Sequence, residues 1–187
     1  VALMRWVERA HEGWAMALLL LLCVASSFSS PVNQNWFIGQ RDRIWWPVKE
    51  RFPLAALREA ADYVRAATRP DDVLLTQDTY LAVESGRRVP HGMELGPFCY
   101  FPDWSREKAT RIHVLNRDMM AELLAICDAP VAAFSGYGLA IRAPEIRALS
   151  RDEQQEVWTI VDARYGLDRE IEPFGQAETT LRLYRRK

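Results

Sequence analysis

The residue types best suited to chemistry are concentrated in one loop, residues 91–104. It contains four aromatic residues, a histidine, a cysteine and two acids. Loops of this length without regular structure are usually functional or disordered, and disordered segments are poor in aromatic residues. The composition therefore predicts an ordered, packed loop, which we call the aromatic loop.

Residues at the carboxyl ends of two predicted strands extend the candidate site beyond this loop. In open parallel sheets, ligands bind outside the carboxyl ends of the strands, and two predicted strands deliver residues 77–78 and 135–137 to that edge. We expect the aromatic loop to fold over the same edge and form a surface crevice. Seven residues are predicted at its rim: Glu84, Arg87, His91, Glu94, Tyr100, Asp103 and Tyr137.

A purely structural role for the loop is the alternative. Its four aromatic side chains would then only pin it to the domain as a satellite core. These side chains are Phe98, Tyr100, Phe101 and Trp104. The sequence leaves both interpretations open.

The acids and histidines are compatible with metal binding or glycoside hydrolysis, but their spacing selects neither. His91, Glu94, Asp103 and His113 could ligate a metal, yet they match no helix-borne ligand pattern. We therefore predict no metal and no cofactor. Two of Glu84, Glu94 and Asp103 could act as a carboxylate pair, although the sequence does not fix their separation.

Anion binding is suggested by two short motifs. Arg87 and Arg88 could hold an anionic headgroup or a sugar phosphate, or one could pair with Glu84 while the other is solvated. Residues 135–138 read SGYG after a predicted strand. They lack both the G-x-G-x-x-G and the G-K-[ST] patterns, so a glycine turn with a packed tyrosine is favoured over a phosphate loop.

The three cysteines give no zinc signature, because none are in C-x-x-C spacing. Cys99 and Cys127 could form a disulfide in an oxidising compartment, but the sequence does not show that their geometry allows it. The alternative is two buried free thiols. Cys99 also has no evident histidine and asparagine partners, and G-x-S-x-G does not occur, so no nucleophile is assigned.

Hydrophobic periodicity and capping residues predict the elements that position these groups. A helix is predicted from Leu54 to about Thr68, and Asp78 and Gly86 are predicted to cap a short helix between them. Ser105 is predicted to cap the helix that follows it, and Ser150 and Glu153 form a capping box. The remaining predicted elements are strands at 73–76, 87–89, 131–134, 167–171 and 179–184, and helices at 105–114, 118–127 and 150–165.

Strands that alternate with helices predict an α/β fold with a mostly parallel sheet flanked by helices. The last two strands are separated only by a short turn, so they should form a C-terminal antiparallel hairpin at the edge of the sheet. The domain formed by residues 54–187 is long enough for one core of its own.

A membrane segment is predicted before this domain. No charged residue occurs between Glu12 and Arg41, and residues 18–22 are five leucines. Residues 14–32 would span about 28 Å as a helix, close to the ~30 Å hydrocarbon thickness. Arg5 and Arg9 favour a cytoplasmic N-terminal flank, residues 1–13. A cleaved signal peptide starting at Met4 and a buried core helix are the alternatives.

This topology predicts the location of the rest of the chain. Residues 33–53 would be an interfacial connector and residues 54–187 an extracytoplasmic, periplasmic domain at the inner membrane. The net charge of −1 in 187 residues gives no basic field, so no nucleic-acid partner is predicted.

Three runs carry a family resemblance. Residues 57–104 (LREAADYVRAATRPDDVLLTQDTYLAVESGRRVPHGMELGPFCYFPDW), residues 130–146 (PVAAFSGYGLAIRAPEI) and residues 179–187 (TTLRLYRRK) resemble the C-terminal extracytoplasmic part of bacterial multi-pass family 39-type glycosyltransferases. These are related to dolichyl-phosphate-mannose protein mannosyltransferases. The resemblance covers residues 54–187 and makes 14–32 the last membrane helix.

The resemblance implies a parent enzyme that uses a polyprenyl-phosphate-linked sugar donor. Its catalytic acids would lie in an early loop outside these 187 residues, so this chain would carry no catalytic residue. Its partners would be the lipid bilayer, the membrane core of the same enzyme, and a polyprenyl-phosphate sugar or an acceptor. The alternatives are a single-pass membrane-anchored binding domain without catalysis and a secreted α/β domain.

Overall fold

The computed structural model describes residues 12–29, 51–136, 139, 147–175 and 178–187. The chain divides into two units, Val1–Lys49 and Glu50–Lys187. In the first unit, helix α1 covers Glu12–Ser29. Its five consecutive leucines are each between 47% and 66% exposed.

The predicted membrane segment has only partial structural coverage. Among the described residues, none of the helices is long and apolar enough to cross a membrane. The predicted span 14–32 continues past Ser29, and most of the predicted connector 33–53 also lies outside the described residues.

The second unit is an α/β domain that begins where Pro53 opens a helix at its first position, a site where proline is favoured. The order is α2 (Pro53–Ala67), β1 (Leu74–Thr76), α3 (Thr79–Ser85), a 3₁₀ turn (Gly96–Phe98), α4 (Arg106–Arg111), α5 (Arg117–Ile126), β2 (Val131–Phe134), α6 (Arg151–Arg164), β3 (Tyr165–Phe174) and β4 (Thr179–Arg186).

The sheet has four strands in the order β1-β2-β4-β3. Strands β1 and β2 are parallel, whereas β4 is antiparallel to both β2 and β3. The α/β class and the antiparallel hairpin are therefore confirmed, but the prediction of a mostly parallel sheet is wrong. The reason is that the hairpin joins the sheet through its second strand, which pairs with β2 and makes two of three interfaces antiparallel.

Alternating side chains give the sheet two buried faces. One face packs against α2 and α3 and carries Leu74, Val131, Ala133, Ile171, Leu181 and Leu183. The opposite face packs against α5, α6 and the aromatic loop and carries Leu75, Ala132, Phe134, Tyr165 and Tyr184. Every residue of β1 and β2 is buried, which explains why all of them except Thr76 are apolar.

Three of the predicted caps form through the expected groups. Ser105 accepts a hydrogen bond from the Lys108 amide at the start of α4. Ser150 and Glu153 form the predicted capping box of α6. Gly86 ends α3 in the left-handed conformation, at φ 69°.

Several predicted boundaries are wrong. The predicted strand 87–89 is reduced to a single bridge between Arg88 and Val73. Helix α4 ends at Arg111, and α5 begins one residue before Asp118 because Asn116 provides the cap. Helix α6 ends at Arg164, one residue before the predicted end, because Tyr165 and Gly166 already pair with β4.

Candidate functional site

The six described residues of the predicted crevice do not form one hydrogen-bonded cluster. Glu84 and Arg87 lie near the end of α2, His91 and Glu94 at the start of the aromatic loop, and Tyr100 and Asp103 beside α5 and α6. Tyr137 lies outside the described residues.

Arg87 stabilises a helix junction. Its Nε donates to the Thr68 hydroxyl at 2.7 Å, its Nη2 to the Thr68 carbonyl at 3.2 Å and its Nη1 to the Ser85 carbonyl at 3.0 Å. Arg87 thus joins the ends of α2 and α3. Glu84 is exposed, and its backbone carbonyl accepts a bond from Arg65 at 2.6 Å.

His91 and Glu94 close a turn. His91 Nδ1 lies 3.0 Å from Glu94 Oε1, and the Gly92 amide donates to the other carboxylate oxygen at 2.7 Å. Burial alone would raise the pKa of Glu94, but its backbone, His91 and Gly92 hydrogen bonds lower it overall. The ring of His113 lies 5.9 Å from that of His91. Even so, the described residues contain no group of three or more metal-ligating side chains suited to an ion.

Tyr100 anchors the aromatic loop. It is 1% exposed and belongs to the main core on one face of the sheet, together with Met93 and Cys99. Phe98, by contrast, is 53% exposed. The loop is therefore ordered as predicted, and Tyr100 pins it to the main core instead of a satellite cluster.

Asp103 belongs to an ion-pair network that joins four segments of the chain. Arg147 Nε and Nη2 donate to both oxygens of Asp103 at 2.7 and 2.9 Å, and its Nη1 and Nη2 donate to both oxygens of Glu153 at 2.7 and 2.6 Å. Arg117, on α5, also pairs with Glu153. Hydrogen bonding from Arg147 lowers the pKa of Asp103.

A groove lies beside this network, between α5 and α6. Its volume is about 420 Å³, and its lining consists of Tyr100, Arg117, Ala121, Glu153, Glu156, Val157, Thr159 and Ile160. We call it the α5–α6 groove. Of the six described residues of the predicted crevice, only Tyr100 belongs to this lining.

A buried polar cluster occupies the carboxyl ends of β1 and β2. Asp78 is 2% exposed and accepts bonds from the Ser135 hydroxyl at 2.9 Å, the Ser135 amide at 3.2 Å and the Tyr80 hydroxyl at 2.9 Å. Burial raises the pKa of Asp78, although the bonds from Ser135 and Tyr80 oppose this. The predicted helix-capping bond from this side chain does not form, because the carboxylate is turned towards β2.

The cavity at this strand edge is small. Gln77, Asp78, Ser135 and Leu139 contribute to the lining of a space of about 10 Å³, close to the smallest space that holds one water molecule. As far as the described residues show, this strand edge is therefore a packed polar junction, and the α5–α6 groove lies elsewhere.

The cysteines are free thiols, with Cys99 buried and Cys127 half-buried. Gln77 Nε2 lies 3.4 Å from Cys99 Sγ and donates to the Leu139 carbonyl at 2.7 Å. Burial raises the pKa of Cys99 to about 11. This thiol is therefore protonated and unreactive at neutral pH.

The sequence does not predict a role for Arg117 or Arg147, and it predicts Glu153 only as a capping residue. One signal was available: Glu153 belongs to a capping box, which places its carboxylate near the first turn of α6. The partners of that carboxylate lie 36 and 6 residues away along the chain, and nothing in local spacing indicates them.

Comparison with known proteins gives no further assignment: no family model, no curated protein and no solved structure matches the chain.

Proposed function

We propose that this chain is the terminal part of a membrane glycosyltransferase that uses a polyprenyl-phosphate-linked sugar donor, and that its α/β domain is an extracytoplasmic, non-catalytic part of that enzyme. One observation carries the proposal. The three runs with the family resemblance are parts of one unit, Glu50–Lys187, with its own two-faced core.

The arrangement of charges agrees with a non-catalytic role. The acids of the aromatic loop hold backbone turns and ion pairs: Glu94 closes a turn with Gly92, and Asp103 is held by Arg147. The buried acid Asp78 connects two strands through Ser135. Each of these three carboxylates therefore has a structural partner.

Exposure of the leucines of α1 supports a membrane location. Residues 18–22 are each about half exposed or more within their unit, and contiguous apolar surface of this kind usually contacts lipid or another protein. In this proposal residues 14–32 form the last membrane helix, and the α/β domain lies in the periplasm.

A reporter experiment tests the location. An enzyme that is active only after export is fused after Lys187, and a second fusion carries a reporter that is active only in the cytoplasm. We expect activity from the first fusion alone. Activity of the cytoplasmic reporter would reverse the topology.

A transfer assay tests the enzyme class. Membranes that contain the complete reading frame should transfer sugar from a polyprenyl-phosphate donor, whereas residues 51–187 alone should not. A complete reading frame that adds no further membrane segments, together with no transfer, would instead support a membrane-anchored binding domain.

A further inference from the structure

The α5–α6 groove has the size and lining of a small-molecule site. Its volume of about 420 Å³ falls within the range of roughly 300–1,000 Å³ that is typical of ligand pockets. Ala121, Val157 and Ile160 provide apolar walls, and Tyr100 contributes from the core. Such a lining combines an apolar surface with a few polar groups.

Tyr100 lines this groove and has an unpaired hydroxyl. It is 1% exposed, and its hydroxyl has no hydrogen-bond partner among the described residues. Since no fully buried side-chain nitrogen or oxygen in that part of the chain lacks a partner, the hydroxyl keeps a small contact with solvent. The charges acting on it include those of Arg117 and Glu156, which also line the groove.

Two other polar groups of the lining are open to a ligand. Arg117 pairs with Glu153 through Nη2, so its other N–H groups remain available. Glu156 is exposed and has no ion-pair partner within the described ranges. Glu153, in contrast, is occupied by Arg117, Arg147 and the Ser150 amide.

The charge balance selects against an anionic ligand. Two arginines, Arg117 and Arg147, face three carboxylates, those of Asp103, Glu153 and Glu156. An anion would be repelled by the surplus negative charge. A neutral ligand avoids this repulsion and can still donate to Glu156 and accept from Arg117.

We infer that the α5–α6 groove binds a neutral, hydroxyl-rich ring, such as a sugar or another cyclic polyol. Each hydroxyl of such a ligand both donates and accepts, which suits the mixed carboxylate, guanidinium and phenol groups. Its C–H face packs on Val157 and Ile160. The inference goes beyond the proposed function, since it names a binding site that does not depend on any transfer reaction.

Ligand-observed NMR on the whole chain in detergent micelles tests this inference. The probes are methyl α-glucoside and myo-inositol as neutral rings and glucose 6-phosphate as the anionic counterpart. We expect binding of at least one neutral ring and several-fold weaker binding of the phosphate. Equal or tighter binding of the phosphate, or no binding of either neutral ring, would overturn the inference.

Matched tyrosine variants locate the site. Tyr100→Phe removes one hydroxyl and should weaken neutral-ring binding about 2- to 10-fold, as expected for one lost hydrogen bond. Because that hydroxyl has no hydrogen-bond partner in the described part of the chain, the melting temperature should not fall. Tyr184→Phe removes a hydroxyl from the same core face outside the groove lining and should leave binding unchanged.

A blocking variant gives an independent check. Ala121→Trp fills the groove from a half-buried position on α5 and should abolish binding while the domain still melts cooperatively. Binding that survives both Ala121→Trp and Tyr100→Phe would place the ligand elsewhere. Neither result bears on sugar transfer or topology, so this inference and the proposed function can fail separately.

Discussion

At the scale of single residues, Asp78 shows how burial and hydrogen bonding have opposite effects on the pKa of a carboxyl group. The side chain occupies the N-cap position of α3 but makes no capping bond, because Ser135 and Tyr80 donate to it. Its carboxylate instead connects the ends of β1 and β2. Burial is the larger effect and raises the pKa of Asp78.

The raised pKa predicts a pH-dependent stability. The ordinary pKa of 3.8 applies to the unfolded state. At pH values between 3.8 and the raised pKa of the folded state, Asp78 keeps a proton in the folded state that it has lost in the unfolded state. The contribution of Asp78 to stability is therefore complete below this window and is lost as pH rises through it, by about 1.4 kcal/mol for each unit by which the pKa is raised.

Asp78→Asn tests this dependence. Asparagine stays neutral, so urea unfolding across pH 4–7 should show the variant gaining stability relative to the wild type as pH rises. Its amide can still accept from Ser135, whose hydroxyl can rotate to accept in return. A stability difference that stays constant over the whole range would contradict the raised pKa.

At the scale of elements, the start of α6 combines two functions in Glu153. The carboxylate completes the capping box with Ser150 and also pairs with Arg117 and Arg147. Its side chain is only 11% exposed, so screening by solvent is weaker than for a surface pair.

Two variants separate the cap from the ion pairs. Ser150→Ala should cost about 1 kcal/mol of unfolding free energy at any salt concentration, since it removes a cap. Glu153→Gln keeps an acceptor for the Ser150 amide but removes the charge, and should cost about 1–3 kcal/mol at low salt and less in ~1 M salt. The two costs are compared by denaturant unfolding at both salt concentrations. Identical salt dependence would show that the network adds nothing to the cap.

The 3₁₀ turn of the aromatic loop depends on a close backbone approach. Gly96 has φ 59°, and a Cβ there would meet the Gln77 carbonyl oxygen at 2.8 Å. Gly86 has φ 69° with nothing within 4 Å of a Cβ. Gly96 is therefore required both by its positive φ and by the close Gln77 carbonyl, whereas Gly86 is required by its positive φ alone.

This difference predicts unequal costs for the same substitution. Gly86→Ala should cost about 1–2 kcal/mol, the usual penalty for a left-handed residue with a side chain. Gly96→Ala should cost more, because the aromatic loop must also move away from β1. Equal shifts in the thermal melting of the two variants would show that the loop is free to relax.

Local signals explain which elements the sequence predicts well. Ser105, Ser150 and Gly86 act within one turn of their own helix, and each cap was confirmed. Strand β2 was predicted with its observed bounds because an apolar run is followed by a polar turn. The prediction that the Asp78 side chain caps α3 was wrong, because its partner Ser135 lies 57 residues away along the chain.

Long-range pairing accounts for the error in the sheet and for the side-chain partners that the sequence does not predict. Alternating strands and helices predict parallel pairing, but they do not show where the hairpin docks, and β4 pairs with β2. In the same way, the six described residues of the predicted crevice, from Glu84 to Asp103, are close in sequence but belong to several separate sets of contacts. The α5–α6 groove is built from three distant segments, and of its described lining residues only Tyr100 also belongs to the predicted crevice.

At the scale of the whole molecule, the sheet carries a core on each face. The Leu74 side chain belongs to one face and that of Leu75 to the other, and both are 0% exposed. Helix α2 and the aromatic loop thus cover opposite sides of the same short strand. Disruption of β1 should therefore weaken both cores at once.

This architecture predicts that residues 51–187 fold without the rest of the chain, since one domain of this size buries enough surface for its own stability. The isolated fragment should melt cooperatively. Leu75→Asp places an unpaired charge in the core between β1 and the aromatic loop and should cost several kcal/mol. Val83→Asp makes the same kind of change at a position that is 79% exposed and should stay within about 0.5 kcal/mol of the wild type. A cooperatively melting Leu75→Asp fragment with little loss of stability would show that β1 is not central, because the charge would then have reached water without breaking either core.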